Sequence, residues 1–357
     1  MAEIFNQSLG LGWNIKAVIP LAPTDFSATS PSPLILATSK FLCIYGSNDG
    51  DVWGGTNPAT QYTGTGFRFY DRATVEKAMV FIEGATHNRF NTEWGTEVKV
   101  DATSPKILSV GQHQQLLCGY MTAFLQMHIQ GRSEQRDYFT GELRIPQVSS
   151  VVVHSQYRST SNLTLDDFET NPATNQNSLT GTVTPTDLDM GSPQEDDLRI
   201  LDGNTPHQRK GVRLKWSVLT GKYQSVIPLA DRDISNRKFL SFRVSQKVGS
   251  ASNPVDQLRD MRVRLSMSGG GNSRALRVGY FGTIPYPYKP EYRPANDMDE
   301  APNTKSALKT IRIPLYGWTI KCLNVPIVNL NDVESLTFEF DYQPTGEILI
   351  DDIEFTS

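Results

Sequence analysis

Two side chains in the first part of the chain have the types and spacing to move a proton. Asp49 lies in "YGSNDGDV", where an apolar run gives way to Gly46, Ser47 and Asn48. His87 lies in "MVFIEGATHNRF", after another apolar run and a Gly-Ala-Thr turn. Loops at strand ends carry chemistry because a rigid scaffold holds them. In open α/β sheets, ligands bind at the carboxyl ends of the strands. An Asp and then a His on consecutive strand ends form the last part of the chain order Ser…Asp…His. There the carboxylate orients the imidazole and stabilises its charged form, while the imidazole takes the nucleophile's proton. Of the other histidines, His113 and His128 fall in a helical pattern and read as surface or packing residues. His154 and His207 lie among strand patterns and belong to no constellation.

The elements that must position this pair are legible as runs. "IKAVIPLAP", "FLCIYGSNDGDV" and "AMVFIEGATH" are apolar on both faces, which suits a parallel sheet covered by helices. "TVEKAMV" leaves room for only a short helical turn before the third run. In "SPKILSVGQHQQLLCGYMTAFLQMHIQG" the apolar residues recur every three to four positions, predicting a long amphipathic helix ending at Gly131. After about residue 146 the pattern changes to short alternating segments: "GVRLKWSV", "LSFRVSQ", "MRVRLSMS", "KTIRIPL", "SLTFEFDY" and "EILIDDIEF". These predict an all-β sandwich.

Composition sets the limits. A chain of 357 residues is long enough for two domains. With 20 % charged and 38 % hydrophobic residues it reads as globular. The net charge is −4, from 34 basic and 38 acidic residues, which argues against nucleic acid as a partner. No apolar run is long enough to span a bilayer. The first residues have neither the basic region nor the apolar core of a signal peptide. Cys43, Cys118 and Cys322 fit no zinc spacing, and the first two read as buried small hydrophobes.

The motifs "IKAVIPLAPTD", "LCIYGSNDGDV" and "VFIEGATHNRFN" together resemble the last three strands of the α/β-hydrolase family. The likeness is to its esterase- and lipase-like members related to dienelactone and polyester hydrolases. It covers roughly residues 1–145 and implies Asp49 as triad acid, His87 as triad base and Asp51 as reserve acid. The family's nucleophile sits on a G-x-S-x-G elbow ahead of these strands, and no such motif occurs in the sequence. Gly271-Asn272-Ser273-Arg274-Ala275 comes nearest, between two strand-like segments, and reads as a hairpin turn. Gly131-Arg132-Ser133 follows a helix, the wrong context for an elbow. "MAEIFNQSLG" resembles the helix that follows the elbow, so the expectation is a C-terminal portion of a larger hydrolase, with no oxyanion hole and no activity alone. Any export signal would then lie upstream of Met1, and localisation stays open.

The second half resembles a carbohydrate-binding-module-like, galactose-binding-like jelly roll, on "LTLDDFET" at its start and "GEILIDDIEFTS" at its end. The implied boundaries are 1–147 for a partial α/β-hydrolase domain and 148–357 for the sandwich. Such modules often hold a structural calcium, and Asp166, Glu169 and Asp352, beside Asp167 and Asp351, offer the hard oxygen ligands it takes. No other cofactor is required. In "GYFGTIPYPYKPEYRP", Tyr286, Tyr288 and Tyr292 are candidates for a sugar-stacking platform or an interdomain clasp. Trp216 and Trp318 read as core. The main expectation is thus part of a serine hydrolase acting on small or polymeric carboxylic esters, fused to a sandwich. The alternative is a non-catalytic glycan- or surface-binding protein with a degenerate hydrolase remnant, or one half of a split hydrolase.

Overall fold

A computed structural model describes residues 12, 14–23, 39–52, 65–94, 97, 99–101, 103–171, 173–291, 304–321 and 326–357. Tyr292, Cys322 and the segment "MAEIFNQSLG" lie outside the described residues. The chain divides into two compact units, residues 1–160 with 288–304, and 161–287 with 305–357.

In the first unit, β1 (Ala17–Val18), β2 (Lys40–Asn48) and β3 (Lys77–Thr86) pair in parallel, in that order. The three apolar runs supply these strands. Leu42, Ile44, Val80 and Ile82 are wholly buried, and so are Cys43 and Met79 on the opposite face, as expected for a sheet covered on both sides. Between β2 and β3 runs the short helix α1 (Gly66–Arg72). The long helix α2 (Val110–Ile129) begins where Ser109 caps it, with the Gln112 side chain returning the bond in a capping box. It ends before Gly131, whose φ of +72° only glycine adopts freely. Leu116, Tyr120, Ala123 and Phe124 form its buried stripe against the sheet. Cys118 lies off that stripe and is exposed, not buried as its helical context suggested.

One strand joins this sheet that the sequence pattern assigns to the sandwich. β4 (Val153–Arg158) pairs antiparallel with β3 along Lys77 to Ile82. His154, Ser155 and Gln156 are buried there and Val153 and Tyr157 pack against the core of the first unit, while the mixed run itself does not say which sheet will cover it. Residues 288–291 also return to the first unit, where Glu291 accepts from Asp101 N–H and pairs with Lys106 at 2.6 Å.

The second unit is a β-sandwich of two antiparallel sheets. It contains, in chain order, β5 (Leu163–Asp166), β6 (Val183–Thr186), β7 (Gln194–Asp197), helix α3 (Leu198–Asp202), β8 (Lys210–Trp216), β9 (Lys222–Val226) and β10 (Phe239–Gln246). There follow β11 (Arg262–Met267), β12 (Gly271–Asn272), β13 (Leu276–Arg277), β14 (Lys309–Pro314), helix α4 (Tyr316–Thr319), β15 (Val333–Glu339) and β16 (Gly346–Thr356). One sheet runs β14-β10-β16-β8-β7, with β5 beside β16; the other runs β12-β11-β15-β9-β6, with β13 beside β11. Phe242, Ile350 and Val212 of the first sheet and Phe338, Leu265 and Tyr223 of the second share one core. Trp216 stacks on Phe340 at 4.4 Å, and Trp318 is also buried, in α4.

Candidate functional site

Asp49 and His87 stand at the carboxyl ends of the neighbouring parallel strands β2 and β3. A bulge in that ladder, between Gly46 and Asn48, turns the strand ends. Gly84 makes the turn feasible: its φ is +79°, and a Cβ there would lie 2.3 Å from the Lys106 carbonyl oxygen. Asp49 closes an Asx-turn, with Oδ1 accepting from Asp51 N–H at 3.0 Å and Val52 N–H at 2.6 Å. That leaves Oδ2 for His87 Nδ1, 2.8 Å away. The Asp49 side chain is wholly buried and that of His87 is 20 % exposed.

A carboxylate only accepts, so the shared proton sits on Nδ1 and the neutral ring keeps its lone pair on Nε2. The hydrogen bond to Asp49 raises the His87 pKa above the ordinary imidazole value; burial opposes this, and the charges of Asp49, Asp51 and Glu97 add to the rise. Asp51 lies on the other side of the ring, with Oδ2 3.7 Å from Nε2, beyond hydrogen-bond reach. The structure therefore puts Asp49, rather than Asp51, on the nitrogen that orients the ring. Among the described residues no hydroxyl or thiol hydrogen bonds to Nε2.

Ser273, in the stretch nearest to an elbow motif, is buried in the β11–β12 hairpin of the other unit. Its hydroxyl donates to the Arg274 carbonyl at 2.9 Å and accepts from Leu265 N–H at 3.0 Å. It is a turn residue. His154 pairs with Glu83 at 2.7 Å on β4. His113 is fully buried, not on the surface, and both its ring nitrogens are engaged with backbone.

The calcium set does not gather. Asp166 Oδ1 accepts from Phe168 N–H and the Ser178 hydroxyl. Glu169 is held by Arg209 Nε at 3.0 Å and by Lys210 N–H at 2.7 Å. Asp352 lies 2.9 Å from Arg243 Nε. Two guanidiniums thus supply the positive charge that Glu169 and Asp352 face, and among the described residues no cluster of three or more His, Cys, Asp or Glu is placed to hold a metal. Of the three candidate platform tyrosines, Tyr292 lies outside the described residues. Tyr286 and Tyr288 are only half-exposed and fall in different units. Among the described residues the sandwich exposes Tyr280, Tyr316 and Tyr342; Tyr280 at 77 % and Tyr342 at 47 % flank the Arg277 guanidinium, which lies 5.4 and 4.0 Å from their centroids. Asp260 takes Arg277 Nε and fixes it there. Sequence reading missed Tyr342 because it ends the run "SLTFEFDY", whose Phe338 and Phe340 read as core and gave no sign that the next aromatic is exposed.

No family model and no curated protein matches the chain. Solved structures with some likeness include the family 11 carbohydrate-binding module of the cellulosomal cellulase Lic26A-Cel5E of Clostridium thermocellum. That match has 16 % identity and a TM-score of 0.32, over 56 % of this chain and 96 % of that one. The family 30 carbohydrate-binding module of the cellulosomal cellulase Cel9D-Cel44B of Clostridium thermocellum matches at 13 % identity and a TM-score of 0.33, over 50 % of this chain and 92 % of that one. An exo-β-agarase matches at 12 % identity and a TM-score of 0.34, over 54 % of this chain and 24 % of that one. Among the described residues no helix is long and apolar enough to cross a membrane.

Proposed function

We propose that the first unit carries the base and the acid of a nucleophilic hydrolase, His87 and Asp49, acting on carboxylic esters. The observation behind this reading is the 2.8 Å bond from His87 Nδ1–H to a buried carboxylate at the ends of adjacent parallel strands. Nε2 takes the proton of an attacking hydroxyl, and Asp49 stabilises the imidazolium that forms. The nucleophile is not supplied by any described residue at Nε2. Ester is the substrate class that the α/β-hydrolase resemblance implies. Histidine NMR titration tests the pair. His87 should titrate above 6.5, and Asp49→Asn should lower its proton affinity about tenfold or more. An unchanged His87 in Asp49→Asn would overturn the reading. The pure chain should neither turn over nitrophenyl esters nor react with a fluorophosphonate; inhibitor-sensitive turnover would place the missing nucleophile within it.

A second reading, glycan binding by the sandwich, is favoured by the two exposed tyrosines around a fixed guanidinium. Rings of this kind offer flat apolar faces with polar edges to a sugar. Electrophoresis through gels containing a panel of soluble polysaccharides should show retardation by at least one. Tyr342→Ala and Tyr280→Ala should each weaken it. Retardation equal in both variants would assign binding elsewhere.

A further inference from the structure

The backbone around His87 is gripped on both sides by two buried side chains. Ahead of it, Thr86 N–H donates to His113 Nε2 at 2.8 Å, and the Thr86 hydroxyl donates to Glu97 Oε1 at 2.6 Å. Behind it, Asn88 N–H donates to Glu97 Oε2 at 3.3 Å. Glu97 therefore spends one oxygen on each neighbour of His87. Arg89, with Nε 3.8 Å from Oε1, balances its charge.

His113 has no freedom in this role. Its Nδ1–H donates to the Ser109 carbonyl at 2.9 Å, so Nε2 is the bare nitrogen that can accept. Ser109 is the capping residue of the 20-residue helix α2, and the first turn of that helix anchors the ring. Burial lowers the His113 pKa to about 4, which keeps Nε2 unprotonated at neutral pH. A buried carboxylate and a buried imidazole are costly ways to hold an ordinary loop, which turn residues at the surface hold at little cost.

We propose that His113 and Glu97 are positioning residues for the His87–Asp49 pair. They fix the peptide on each side of residue 87, so that Nδ1 stays on Asp49 and Nε2 stays turned away from it. Neither touches the His87 ring in any described contact; His113 acts through Thr86 N–H, and Glu97 acts through Thr86 and Asn88 as well as through its charge. The inference rests on the reading of His87 as the base, and it names what sets that residue's geometry.

The experiment is a pH titration of the full chain labelled with 15N-histidine, reading the His87 pKa and tautomer. In the wild type, His87 should titrate above the ordinary value, with the proton on Nδ1. His113→Phe removes the acceptor for Thr86 N–H, and Thr86→Val weakens the Glu97 grip with a near-isosteric side chain while leaving the Glu97 charge, which itself raises the His87 pKa, in place. Each should lower the proton affinity of His87 about threefold or more and mix its tautomers. His113→Gln keeps an accepting oxygen and should restore most of the wild-type behaviour. A purely structural role predicts lower melting temperatures with an unchanged His87 titration, and that result would overturn the proposal. If His113→Phe fails to fold, the Thr86 variant decides the matter. Asp49→Asn in the same series separates the two readings. No change there removes the acid–base pair itself; a fall there with none in the other variants removes only the positioning role.

Discussion

Arg243→Met will lower the stability of the sandwich by about 3–5 kcal/mol, the usual cost of leaving a buried charge without its partner. The geometry behind this is a bulge. In a regular strand Asp351 and Asp352 would point to opposite faces. Opposite them the β10–β16 register shifts between Ser241 and Arg243, and Asp352 takes a φ of +47°. Arg243 consequently meets both carboxylates, Asp351 through NH2 and Asp352 through Nε at 2.9 Å. Arg243 is 2 % exposed and Asp351 not at all. Burial first, and then the charge of Asp352, push the Asp351 pKa well up, while Arg243 pulls it down. Methionine fills similar space and removes the charge. Two acids then face each other, with Arg209 as the remaining cation acting on them. Adding Asp351→Asn to Arg243→Met should recover part of the loss, as a double-mutant cycle would record in urea unfolding of the sandwich. A cost below about 1 kcal/mol would show that the acids are protonated or hydrated instead. Chelator should leave the wild-type transition in place, because guanidiniums already balance Glu169 and Asp352.

The contrast with the sequence reading is instructive here. "LTLDDFET" and "GEILIDDIEFTS" announce acids at two strand ends, and their pairing through β5 and β16 is what the structure shows. The local pattern could not reveal which cation they meet. Arg209 and Arg243 sit in strand-like runs 40 and 108 positions from their carboxylates, where a charge reads as a solvated face. The parallel trio was legible because its strands are apolar on both faces, a property of each run by itself. The juxtaposition of Asp49 and His87 followed from their place at consecutive strand ends. β4 was misplaced for the opposite reason, since its mixed run of polar and apolar residues says nothing of which sheet covers it. His113 fits the helical period of α2, and nothing in that period signals that its Nε2 serves the backbone beside His87. The tyrosines of "PYPYKPEY" look like one cluster, but the chain crosses between units within it.

Raising the pH from about 4 to about 8 should destabilise the sandwich, opposite to the usual behaviour of native carboxylates. Asp166 is wholly buried, and its Oδ2 has no hydrogen-bond partner among the described residues. Burial is the main cause that raises its pKa from 3.8 to about 7. Glu195 on β7, with neither oxygen partnered, rises to about 8, by burial and then by the charge of Asp166. Burial, and then the charges of both acids, drive up the Tyr223 hydroxyl in the facing sheet, which has no hydrogen-bond partner among the described residues. These carboxyls are therefore protonated in the folded unit at pH values where the unfolded chain has released its protons. The folded state binds more protons across the window, so stability falls with rising pH. The contribution is complete below the unfolded values and lost once pH passes the folded ones. Asp166 alone accounts for at most about 4 kcal/mol, at 1.36 kcal/mol per pKa unit. Asp202, raised to about 6 by burial, adds to the slope with the same sign. Comparison with variants removes that background. Urea unfolding of the sandwich at pH 5 and pH 8.5 should give a clear loss in the wild type, a smaller one in Asp166→Asn and the smallest in Glu195→Gln, because Glu195 has the higher folded pKa and releases its proton over more of that window. Equal slopes in all three would mean that these oxygens are solvated or hold a cation, because either condition keeps both acids ionised and removes the proton uptake on folding.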